Sequence, residues 1–201
     1  ANAASVWINE IHYDNDGGDV NEFVEVAGAA GTDLDGWSLL LYNGSSGTTY
    51  ASSVLEGVIG DQGDTGFGAM AFGFGSIQNG APDGVALADR DGTLVQLLSY
   101  EGQFTGTAGP AEGAVSEDIG VFEPATTPLG YSLQLVGLGG AYADFTWAEA
   151  ALASPGLLNA EQQLSAVPLP AALPLFVTAL AAVALGGRCR RPGPATSTLP
   201  A

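Results

Sequence analysis

Short apolar runs, broken by turn residues, make up most of the chain. Val6-Trp7-Ile8 through Tyr13 reads as a first strand. Glu22-Phe23-Val24-Glu25-Val26 alternates, so Val24 and Val26 share one face and Phe23 and Glu25 the other. Trp37 to Tyr42 predicts a third strand closed by Asn43-Gly44, and Thr48 to Leu55 a fourth. Gly66 to Gly75 is apolar with frequent glycine, the pattern of a strand that other backbone approaches closely. Val85 to Asp89 and Thr93 to Tyr100 flank Asp91-Gly92, which predicts a hairpin with a type I′ turn and positive φ at both central residues. Residues 101–128 read mostly as loop. Tyr131 to Val136 and Phe145-Thr146-Trp147 are late strands. Ser154-Pro155-Gly156 ends the body, and 159–166 reads as a linker. Nothing before residue 167 carries a 3.6-residue period. About eight to ten short strands at this spacing predict an all-β sandwich over residues 5–158.

The pattern changes at the C-terminus. Val167-Pro168-Leu169-Pro170 precedes an apolar run, residues 171–187, and then Arg188-Cys189-Arg190-Arg191. As a helix the run would be ~26 Å long, the short end of a membrane span. Arg188, Arg190 and Arg191 suit its cytoplasmic side. Residues 192–201 are expected to be a disordered tail. At the other end, Ala1-Asn2-Ala3 fits the small-residue pattern left by signal-peptide cleavage, so residues 1–4 read as a processed N-terminus.

Charge narrows the function classes. The chain has 22 carboxylates, four arginines and no lysine, for a formal net charge of −18. All 22 acids lie upstream of the proline motif, where Arg90 is the only basic side chain besides His12. Such a body repels phosphate backbones, so nucleic acid is excluded as a partner. The one cysteine, Cys189, lies in the tail, so the body holds no disulfide. Glu10, Glu22 and Glu25 sit within strand patterns and outnumber the cations. Their expected roles are to cap loop amides or to pair with Arg90.

Two family resemblances follow. Ile8-Asn9-Glu10-Ile11, then Glu22-Phe23-Val24-Glu25-Val26, then Asp33-Leu34-Asp35-Gly36-Trp37-Ser38-Leu39 resemble, in order, the motif blocks of the lamin-tail domain. Pro82 to Leu87 and Gly130 to Leu135 are similar to its bacterial secreted branch. The resemblance implies an immunoglobulin-like β-sandwich, with Gly36 in a turn and Trp37 entering the core. The tail resembles a PEP-CTERM sorting signal in a V-P-L-P form, carried by Val167, Pro168, Leu169, Pro170 and the three arginines. That likeness implies transient contact with the inner membrane of a Gram-negative bacterium. It also implies cleavage by an exosortase-like enzyme, and delivery to the cell surface or extracellular matrix.

Little in the body reads as catalytic machinery. His12 is the only histidine, and its place on a strand reads as solvent-facing. No G-x-S-x-G elbow is present. The expectation is therefore not an enzyme. The loop Asp14-Asn15-Asp16-Gly17-Gly18-Asp19 offers hard oxygen ligands of the kind Ca²⁺ prefers. Its candidate ligands are Asp14, Asp16, Asp19 and Glu22. The functional expectation is a secreted, non-catalytic module with a structural, adhesive or matrix role. The alternatives are a filament subunit that self-associates by strand or edge pairing, and an accessory binding module for an extracellular nuclease or phosphatase.

Overall fold

A computed structural model describes residues 6–165. The tail readings (proline motif, apolar helix, arginine cluster, residues 192–201) and the processed N-terminus lie outside the described residues. Within them the chain is all-β. Its strands are β1 Val6–His12, β2 Phe23–Ala29, β3 Ser38–Asn43, β4 Thr48–Val54, β5 Phe67–Gly73 and β6 Asp83–Ala88. They continue with β7 Leu94–Tyr100, β8 Glu117–Asp118, β9 Tyr131–Gly139, β10 Phe145–Leu152 and β11 Gln162–Leu164. One sheet runs β10-β9-β1-β2-β5, with β11 added on β9; the other runs β4-β3-β6-β7-β8. Both sheets are antiparallel apart from β11 on β9 and β8 on β7.

The two sheets share one core. Ile8, Ile11, Val24, Val26 and Leu133 of the first sheet pack with Leu39, Leu41, Val85, Leu87 and Leu98 of the second. Alternation therefore predicts β2 correctly: Val24 and Val26 face the shared core, and Phe23 and Glu25 face away from it. Trp37 is only partly buried against this core. The fully buried tryptophan is Trp7, which belongs to a second cluster with Ala27, Phe67, Leu135, Phe145 and Leu164. Gly36, at φ 84°, does take the left-handed turn conformation that the sequence suggests.

Three differences from the sequence reading have clear causes. The Asp91-Gly92 hairpin forms, but only Gly92 has positive φ. Asp89 Oδ1 accepts the amides of Asp91 and Thr93, and this carboxylate organises a longer turn than type I′. The region 101–128 contains a 3₁₀ turn, Gly109–Ala111, and the short strand β8. The segment read as a linker from residue 159 is packed as far as Leu164. Asn159 is buried, Leu164 enters the second cluster, and β11 pairs in register with Gly137 to Gly139. Three residues are too short for periodicity to reveal a strand.

Residues 153–164 thus form a strap over the outer face of the first sheet. This explains why every residue of β1 is buried, on both faces. The β1–β9 ladder covers only Glu10 opposite Gln134 and Ile11 opposite Leu133. Where it opens, the Asn159 amide donates to both Asn9 O, at 3.1 Å, and Leu135 O, at 2.9 Å. A buried side chain of the strap thereby replaces the missing strand pairing.

Candidate functional site

The outer face of the first sheet carries an unusual number of buried polar side chains, and the local backbone explains how they gather. The pairing of β1 with β2 slips between Ile8 and Glu10, which is a β-bulge. Asn9 and Glu10 therefore both reach the outer face. Glu10 sits opposite Glu25 in the ladder. Among the described residues neither carboxylate has a cation partner; each holds the strap instead. Ser154 N–H donates to Glu10 Oε1 at 2.9 Å, and Ser154 Oγ donates to Glu10 Oε2 at 3.0 Å. Gly156 N–H donates to Glu25 Oε2 at 2.7 Å, and Asn9 Nδ2 donates to Oε1 at 3.0 Å. Burial, and then the charge of Glu10, push the Glu25 carboxyl up to about 8. Glu10 is also raised, first by burial, although hydrogen bonds from Ser132, Ser154 and Gln134 oppose the rise.

A second polar group lies where β1 ends. His12 is 3% exposed, not solvent-facing. Its Nδ1 is 3.0 Å from Glu123 Oε1, and its Nε2 is 3.1 Å from Val20 O. Acceptors on both sides favour a proton on each nitrogen, the imidazolium form. Burial pulls its pKa down, but the hydrogen bond and charge of Glu123 outweigh this, and the net direction is upward. Glu123 Oε2 also accepts the amides of Tyr13, at 2.6 Å, and Asp14, at 2.9 Å. In return, Glu123 N–H donates to Tyr13 Oη at 2.8 Å. Glu123 lay in a segment read as loop, and nothing in its sequence neighbours marks it.

The candidate calcium ligands are placed differently from one another. Asp14 is buried, and Asp16 and Asp19 are exposed. Asp14 and Asp19 lie near enough for their charges to interact. Burial first, and Asp19 second, raise the Asp14 carboxyl. Glu22 is 5% exposed and accepts the Ile77 amide through Oε2. The loop itself is organised by Asn15, which donates to Asp16 O and Gly18 O and accepts from Val20 N–H. Among the described residues, no group of three or more His, Cys, Asp or Glu side chains could hold a metal ion.

Arg90 does not reach the strand glutamates. Its Nη2 donates to Asp33 O at 2.9 Å and lies 3.6 Å from Asp33 Oδ2, all near the surface. The buried acids are therefore used as backbone ties. Asp83 follows the same rule, accepting the amides of Gly44 and Gly80.

Beside these ties a cleft of about 600 Å³ opens between the ends of β2 and β5 and the start of the strap. His12, Glu22, Phe23, Phe74, Tyr131 and Pro155 are among its lining residues. With both ring nitrogens of His12 engaged, the cleft offers one acidic side chain among apolar and aromatic walls. That is the equipment of a binding site. No family model matches the chain, and no curated protein and no solved structure is similar to it.

Proposed function

We propose that this chain is a surface-delivered, non-catalytic module with an immunoglobulin-like β-sandwich of the lamin-tail type, serving a structural or adhesive role in the envelope or extracellular matrix. The observation that carries this reading is how the buried acids are used. Glu10, Glu25, Glu123 and Asp83 each accept loop amides, so most of the buried polar groups that could serve chemistry are committed to holding loops on the sheets. Such ties suit a rigid display scaffold. Delivery is supported by the sequence pattern of 167–191, with its PEP-CTERM-like order of proline motif, apolar run and arginines.

The mass of the protein recovered from the supernatant of cells that express it tests delivery. A C-terminus close to Val167–Pro170 is expected. An intact C-terminus at Ala201 in a membrane fraction would replace processing with a permanent anchor. Assays on phosphodiesters and phosphomonoesters, with and without Ca²⁺, test the non-catalytic part. Turnover that survives purification to homogeneity would overturn it.

A further inference from the structure

Glu22 is a buried carboxylate that is only half satisfied. Oε2 takes the Ile77 amide. Oε1 accepts no hydrogen bond among the described residues, yet it is not sealed from solvent, and Glu22 lines the 600 Å³ cleft. A carboxylate oxygen that borders a cleft and takes no donor from the protein is free to accept one from a ligand. A charged donor would make the stronger bond there.

The surroundings say which donor. The charge of His12 reaches Glu22, but both its ring nitrogens face Glu123 and Val20 O, so it gives Glu22 no hydrogen bond. Asp14 and Asp19 add negative charge near Glu22 from the β1–β2 loop. The local field therefore favours a positive ligand group. Phe23, Phe74, Tyr131 and Pro155 give the remaining wall an apolar and aromatic character, which suits a ring or alkyl body and can face a cation. We propose that this cleft binds a primary ammonium group carried on a body with an apolar face, with Glu22 as its counter-ion. An amino sugar and an aliphatic amine share that chemistry. This inference does not depend on how the chain is delivered or processed.

The test is calorimetric titration of the full-length chain with glucosamine, hexylamine, glucose and hexanol at neutral pH. At least one amine is expected to bind about tenfold or more tightly than its neutral counterpart. Tighter binding of glucosamine assigns an amino sugar, and tighter binding of hexylamine assigns an aliphatic amine. Equal binding of amine and neutral analogue, or no binding by either amine, overturns the proposal. Glu22→Gln retains an acceptor for the Ile77 amide and should lose at least about tenfold in affinity. Tyr131→Ala, at the half-exposed wall, should weaken binding while leaving the melting curve in place, and it keeps the test decisive if Glu22→Gln fails to fold. Unchanged affinity in the folded variants overturns the site.

Discussion

Single residues set the pH response of this protein. Glu25 has its carboxyl pushed up to about 8, and Glu10, Glu22, Asp14 and Asp83 move in the same direction. A raised carboxyl keeps its proton in the folded state at pH values where the unfolded chain has lost it. Between the ordinary carboxylate range and about pH 8 the native state thus binds more protons, and stability falls as pH rises. His12 acts with the same sign: its stabilisation is complete below the ordinary histidine value and is lost as pH climbs through its raised one. Melting temperature should therefore be highest near pH 5 and fall toward pH 9, with a slope of about 1.4 kcal/mol per pH unit for each retained proton. Thermal melts across that range check it, and Glu25→Gln should flatten the slope. A flat or rising profile in the parent chain would contradict the burial of these acids. Glu123 makes a separate prediction. Glu123→Ala leaves the His12 imidazolium and two amides without their acceptor, so a loss of about 3–5 kcal/mol is expected in denaturant unfolding. The strand glutamates were legible as amide caps because one body arginine cannot neutralise three acids. His12 was misread because a polar residue on a strand is normally wet, and nothing local shows that Glu123 and Val20 cover it.

At the scale of elements, the strap decides how much of the first sheet is protected. Its amides at Ser154, Gly156 and Leu158 end on Glu10, Glu25 and Gln62, and Gln62 Nε2 returns a bond to Gly156 O. Hydrogen exchange should find these three amides protected to a degree closer to β1 than to exposed loops such as Gly17–Gly18. Exchange at loop rates would mean that the strap is not seated. Leu164→Ala should cost about 2–4 kcal/mol, because Leu164 fills a cluster with Trp7 and Phe145. Sequence periodicity located the principal strands well, since β1, β2, β3 and β7 are long enough for alternation or apolar runs to show. It could not locate the strap or β8. Both are held by contacts across distant sequence, such as Asn159 to Leu135, which leave no local pattern.

Across the whole molecule, a formal charge of −18 opposes compaction. Added salt screens that repulsion more than it weakens the ion pairs, of which Arg90–Asp33 is the exposed one among the described residues. Raising NaCl from low to about 0.5 M should increase the melting temperature at neutral pH. A decrease would show that attraction between charges dominates instead. Two sheets around one core were foreseeable from strand count and spacing. Which strands share a sheet was not, because β1 pairs with β9 across more than a hundred residues.

The pairing of β11 along the last residues of β9 also sets where the described chain ends. Leu164 lies opposite Gly139, and β1, running against β9, begins toward that same end. The cleft lies beside Tyr131, the first residue of β9, so the length of a nine-residue strand, about 30 Å, separates it from the point where the described chain leaves. The cleft and the end of the described chain therefore lie at opposite ends of β9.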